Sequence, residues 1–261
     1  MYDLIDPYDE LHSESTIVET NSPWLKIYEP RKNARVRLYC FSHIGGGAST
    51  YKDWHRHLTD NIEVAAIQLP GREDRSNDRL CQSVDDVLLN IVPFIFQDAR
   101  PFILFGHSFG SVLAYSLQQE LENYELPSLG LIVSAKSAPH VSRQKKRSSL
   151  PRIQLIQELK RMGGTPESIF NDSALLDRAM KTIRADFSVL ESAQNMVKPI
   201  KINSPIAAIS AEQDSLVSFE SISAWRDYTQ LSFELHSVKG DHFYIHSPPE
   251  SIFSIVSQFA D

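Results

Sequence analysis

Phe102-Ile103-Leu104-Phe105-Gly106-His107-Ser108-Phe109-Gly110 is the stretch on which the reading of this chain turns. Four consecutive apolar residues after Pro101 make a run short enough for a buried strand. Two glycines then bracket a serine, and residues 112–121 have the character of a helix. A serine on a tight strand-to-helix turn projects its oxygen above a sheet. Gly106 and Gly110, without side chains, permit close backbone packing there. The helix that follows points its positive end toward developing negative charge. The competing reading is an ordinary strand-to-helix turn with an incidental serine.

The flanking sequence repeats the same alternation. Residues 36–41, 62–67, 129–134, 206–210 and 233–238 are short apolar strand candidates, and Trp24-Leu25-Lys26-Ile27-Tyr28 is a weaker one. Residues 51–58, 84–97, 222–228 and 251–259 are helix candidates, with Pro93 placed to kink or shorten the second. Strand, turn and helix in repetition imply an α/β fold, a mainly parallel sheet with helices on both faces. In that setting Gly106-His107-Ser108-Phe109-Gly110 matches the G-x-S-x-G nucleophile elbow of α/β-hydrolases. Residues 136–198 break the pattern: a basic run from Arg143 to Arg147, then helical stretches separated by Gly163-Gly164-Thr165-Pro166. They read as a helical lid inserted over the catalytic edge, the alternative being an enlarged crossover. The expected organisation is an N-terminal extension over 1–34 and a hydrolase domain over 35–261 that contains the 136–198 lid.

Composition narrows the function. A length of 261 residues with 42% hydrophobic content supports one large core, and a net charge of −7 argues against a nucleic-acid surface. Cys40 and Cys81 form no disulfide scaffold or metal-binding spacing. The opening MYDLIDPYDELHSES has no apolar signal-peptide run and no segment is long enough to span a bilayer, so a cytoplasmic location and no membrane partner are expected. Oligomeric state is left open, with a monomer as the working expectation.

A serine hydroxyl needs a base. In the elbow's chain order the acid and then the histidine follow the serine. His242, in Gly240-Asp241-His242-Phe243 after the last strand candidate, is the expected base, with His236 and His246 as rivals. Asp214, in the loop after the 206–210 strand, is the expected acid, ahead of Glu212 and Asp241. The oxyanion would be held by the backbone N–H of Phe109 and that of Ile44, in the Ser42-His43-Ile44-Gly45-Gly46-Gly47 loop. That loop has two plainer readings, a flexible turn or a phosphate-binding loop, although no GK[ST] follows. The 143–147 run, Arg72 and Arg75 have two readings each: docking of an acidic partner, or a solvated face.

Together the motifs resemble the type II thioesterases that accompany nonribosomal peptide and polyketide synthases, and also the animal medium-chain fatty-acyl thioesterase. The resemblance is carried by Phe41-Ser42-His43-Ile44-Gly45-Gly46, Gln68-Leu69-Pro70-Gly71-Arg72-Glu73-Asp74-Arg75, the elbow, Gly163-Gly164-Thr165-Pro166, Arg184-Ala185-Asp186-Phe187, Asp214 and Gly240-Asp241-His242-Phe243. It implies Ser108 as nucleophile, Asp214 as acid, His242 as base, and Ile44 and Phe109 amides as the oxyanion hole. It also implies that the lid is mobile, that no cofactor or metal is needed, and that the partner is an acyl or peptidyl carrier protein. The phosphopantetheine arm would then belong to the substrate. Phe109 stands where the family commonly has Met, Asp241 where a second glycine is frequent, and the N-terminal extension is longer than usual. These departures leave acyl preference and partner choice open. Other readings are a carboxylesterase or lipase, a product-releasing thioesterase, and a non-catalytic binding protein on the same scaffold.

Overall fold

A computed structural model describes residues 22–142, 146–193 and 199–260. Its centre is a seven-stranded sheet ordered β1-β3-β2-β4-β5-β6-β7. The strands are β1 (Leu25–Lys26), β2 (Val36–Phe41), β3 (Ile62–Ile67), β4 (Phe102–His107), β5 (Gly130–Ser134), β6 (Ile206–Ala211) and β7 (Phe233–Val238). Every pairing is parallel except β1 with β3. The helices are α1 (Val84–Gln97), α2 (Phe109–Glu122), α3 (Arg152–Met162), α4 (Glu167–Asn171), α5 (Ser173–Ser192), α6 (Phe219–Ser223) and α7 (Glu250–Gln258).

Strands β2 to β6 are buried along their whole length. That requires cover on both faces, and period-two alternation divides the side chains between them. Tyr39, Phe41, Leu104, Leu131 and Val133 face a core shared with α1, α2 and α5, whereas Leu38, Cys40, Ile103, Phe105 and Ile132 face one shared with Tyr51, Trp54 and α7. The chain leaves β2 for β3 on one side and returns to β4 on the other. The switch point therefore lies between β2 and β4, where open α/β sheets bind ligands beyond the carboxyl ends of the strands.

Three expectations shift. The sheet begins ahead of residue 35: β1 pairs Leu25 with Ile67, and Arg31 donates to the carbonyls of His55, Leu58, Thr59 and Ile62. Within the expected extension Trp24, Leu25 and Ala34 are buried, the first two in the core beside β3, and β1 falls inside the Trp24–Tyr28 strand candidate; residues 1–21 lie outside the described residues. The helix expected over 51–58 is two short 3-10 segments, Ala48–Tyr51 and Trp54–Arg56. Tyr51 ends the first segment and Trp54 begins the second; both side chains are buried, with their rings edge-on 4.9 Å apart. Pro93 does not end α1, which runs on to Gln97. Its ring frees the carbonyl of Leu89, a residue exposed to water.

Residues 136–198 contain, where described, α3, α4 and α5 with no strand. No helix among the described residues is long and apolar enough to cross a membrane.

Candidate functional site

The elbow forms because nothing larger than glycine fits beside the serine. A Cβ on Gly106 would lie 2.3 Å from the Gly110 carbonyl oxygen, and one on Gly110 would lie 2.1 Å from that of Phe41. The first turn of α2 thereby packs directly on the end of β2. Ser108 sits at the apex with φ 53° and ψ −116°, left-handed backbone that a non-glycine residue holds only under constraint. Its N–H donates to the Ser134 carbonyl at 2.7 Å, which ties the turn to the end of β5.

The other groups arrive from neighbouring strand ends. Asp214 follows β6 and His242 follows β7; their loops are joined by Glu212 N–H to the Val238 carbonyl and Gln213 N–H to that of Gly240. The structure brings all three sequence-predicted side chains together. His242 Nδ1 lies 2.7 Å from Asp214 Oδ2, and His242 Nε2 lies 3.0 Å from Ser108 Oγ. A carboxylate only accepts, so Nδ1 carries the proton toward Asp214 and Nε2 is left to accept from Ser108. Asp214 Oδ1 accepts the N–H groups of Leu216 and Val217, at 2.7 and 3.0 Å, which fixes the carboxylate. The rivals lie elsewhere: Glu212 is exposed, Asp241 accepts the Phe243 N–H, His236 faces Glu234, and His246 faces His43.

Ile44 and Phe109, the expected oxyanion residues, lie just after the ends of β2 and β4, which are neighbours in the sheet. Ile44 lies in a turn closed by Gly46 N–H to the His43 carbonyl at 3.0 Å, with Gly45 at φ 74°. Phe109 opens α2, where an N–H has no intrahelical acceptor.

Sequence reasoning passed over the support behind His242. His107 is fully buried, with Nε2 2.9 Å from the His242 carbonyl oxygen and Nδ1 2.7 Å from Ser134 Oγ. Burial holds this imidazole neutral, well below the ordinary histidine pKa. The carbonyl can only accept, so Nε2 carries the proton and Nδ1 accepts from Ser134. Ser134 in turn bonds the Tyr244 hydroxyl, whose pKa burial raises. The signal was present, since a histidine inside an apolar strand needs a partner. Phe243 was also missed as a packing residue: its ring meets that of His242 edge-on at 5.0 Å.

The docking readings of Arg72 and Arg75 are corrected. Arg72 and Arg75 are buried, the first against Asp186 and the second against Asp78 and the Gln68 carbonyl. Arg147 pairs with Glu158 at 2.7 Å. Lys146 is exposed, and residues 143–145 lie outside the described residues. Among the described residues no group of three or more His, Cys, Asp or Glu side chains is arranged to hold a metal ion.

A thioesterase domain model matches residues 36–260. The chain belongs to the thioesterase domain family. It is 33% identical over 238 residues to the gramicidin S biosynthesis protein GrsT of Aneurinibacillus migulanus, covering 88% of this chain and 91% of that one. It is 32% identical over 244 residues to the medium-chain S-acyl fatty acid synthase thioesterase of Rattus norvegicus, covering 89% and 90%. Among solved structures it is similar to the type II thioesterase BorB from the borrelidin biosynthetic cluster, at TM-score 0.80 and 29% identity over 92% of this chain and 98% of that one. The expected α/β-hydrolase fold, with its mostly parallel sheet flanked by helices, is therefore the fold of this thioesterase.

Proposed function

We propose that this thioesterase hydrolyses acyl groups from the phosphopantetheine arm of carrier proteins, clearing stalled or misprimed chains from a nonribosomal peptide or polyketide synthase. Ser108 is its nucleophile, His242 its base and Asp214 its acid. The observation that carries the reading is the Ser108–His242–Asp214 hydrogen-bond relay at the carboxyl edge of a sheet that matches the thioesterase family over 36–260.

His242 Nε2 takes the Ser108 proton as Oγ attacks the thioester carbonyl carbon. The Ile44 and Phe109 amides receive the oxyanion. Collapse breaks the C–S bond, and the protonated His242 returns its proton to the leaving thiol. His242 then takes a proton from water, whose oxygen attacks the acyl-serine, and collapse releases the carboxylic acid and restores Ser108. Asp214 keeps the imidazole in the required tautomer and stabilises its protonated form. The residues do this without a cofactor; the pantetheine arrives with the substrate. Residues 136–198 act as the cover of the acyl channel.

The test compares thiol release from acyl-loaded carrier protein, from the matching N-acetylcysteamine thioester and from a simple oxygen ester. The reading expects the highest kcat/KM on the carrier and loss of all three activities in Ser108→Ala. Equal or better turnover of the oxygen ester would favour an esterase, and an undiminished Ser108→Ala would end the catalytic assignment.

A further inference from the structure

α5 carries one charged residue on its buried face. Asp186 stands among Ile183, Phe187 and Leu190, which pack into the core, and is only 2% exposed. A carboxylate there is tolerable only with partners, and it has two. Arg72, itself buried, grips it with Nη2 2.6 Å from Oδ1 and Nη1 2.9 Å from Oδ2. The Gly45 N–H donates to the same Oδ2 at 2.7 Å. Arg72 Nη1 also donates to the Gly46 carbonyl at 3.0 Å.

Both glycines belong to the His43–Gly46 turn, whose second residue is Ile44. Gly45 at the third position has positive φ, as type II turns require. Type I and type II turns differ by a flip of the central peptide, here Ile44–Gly45, and its N–H is the one Asp186 accepts. The carboxylate therefore selects one of two orientations for the peptide that follows Ile44, and so fixes ψ of the residue whose own N–H, in the preceding peptide, is the proposed oxyanion donor. Two neighbours on α5 reinforce the contact. Thr182 donates to the Gly71 carbonyl at 2.7 Å, and Ile183 lies 3.3 Å from where a Gly45 Cβ would stand.

We propose that Asp186 and Arg72 are positioning residues for the oxyanion loop, the carboxylate orienting the Ile44–Gly45 peptide and the guanidinium cancelling its charge beside the site where the oxyanion forms. The pair reaches the reaction through the backbone and touches no substrate. It also ties α5, within the 136–198 segment, directly to the oxyanion loop. The inference rests on the reading of Ser108 as nucleophile and Ile44 N–H as oxyanion donor.

The test measures kcat and KM on a butyryl N-acetylcysteamine thioester, the Ki of an alkylboronic acid that forms a tetrahedral adduct with an active serine, and a melting curve. The chains are full-length wild type, Asp186→Ala, Asp186→Asn, Arg72→Met, Arg72→Met/Asp186→Asn and Ser108→Ala. Misplacing one oxyanion donor costs on the order of 10²-fold in rate. Asp186→Ala should lose about that factor in kcat with KM within about twofold, and boronate affinity should fall in parallel. Asp186→Asn, which keeps an acceptor for Gly45 but no charge, should lose less. Arg72→Met leaves the carboxylate uncompensated and should lose most; the double variant should recover part of that loss. The proposal is overturned if folded Asp186→Ala and Arg72→Met keep kcat and boronate affinity within twofold of wild type. It is equally overturned if every variant of the pair simply loses its melting transition, since the role is then structural. An active Ser108→Ala would instead defeat the underlying catalytic reading.

Discussion

His107 Nε2 lies 2.9 Å from the main-chain oxygen of His242, so the residue before the proposed nucleophile holds the backbone of the proposed base. Elbow and base loop are therefore coupled by a bond that passes beneath the relay. In His107→Ala the His242 carbonyl and Ser134 lose a buried partner and a cavity opens. We expect a loss of about 2–4 kcal/mol in stability and of about 10- to 100-fold in kcat as His242 drifts. His107→Phe fills the volume without the hydrogen bonds. If its kcat equals that of wild type, the relationship is packing alone.

Acid sensitivity follows from two neutral imidazoles. Burial, aided by the charges of His246, His242 and Arg72, lowers the pKa of His43 to about 4, and burial lowers that of His107 well below the ordinary value. Between the unfolded and folded values the unfolded chain holds the extra protons, so stability rises with pH there. It is fully present above about 6.5 and is lost as pH falls toward 4. Denaturant titrations at several pH values should show this slope. His43→Gln should flatten it by about one proton, or about 1.4 kcal/mol per pH unit. An unchanged slope would mean that His43 is charged in the native state.

Strain at the elbow is measurable apart from catalysis. Ser108→Ala and Ser108→Gly both lose the hydroxyl and the bond to His242, but only glycine relieves φ 53°. Ser108→Gly should be the more stable of the two by about 1 kcal/mol, the relief of about 1–2 kcal/mol being partly offset by glycine's greater unfolded-state entropy. Coincident melting curves would show the turn to be unstrained.

The sequence disclosed the strands and the Ser108, Asp214 and His242 loops because each rests on local pattern: an apolar run, a chain order, a glycine spacing. What it hid is long-range and polar. The Arg72–Asp186 pair spans 114 positions and the His107–His242 bond spans 135, and no periodicity reports such pairings. A clue was available in each case. Asp186 interrupts an apolar helix face, His107 ends an apolar strand, and each buried polar group demands a partner. Arg72 and Arg75 misled because a cationic side chain in a turn has the same appearance in sequence whether it faces water or a carboxylate. β1 was underweighted because only two residues pair.

The turn after α3 bears on the proposed base as well. Gly164 has φ 76°, and a Cβ there would lie 2.2 Å from Phe243 Cζ, whose ring meets those of His242 and His43 edge-on. Gly164→Ala must move either the turn or the phenyl ring, and the ring leans on His242, the proposed base. The substitution should cost about 1–3 kcal/mol in stability through overpacking and reduce kcat about tenfold through displacement of His242. In a Phe243→Ala background the clash has no object and only the backbone penalty of about 1–2 kcal/mol remains. The kcat effect of Gly164→Ala should therefore largely vanish there, with a coupling energy of about 0.5–3 kcal/mol between the two sites. Strict additivity in both stability and kcat would show that the turn acts on the site by some route other than Phe243.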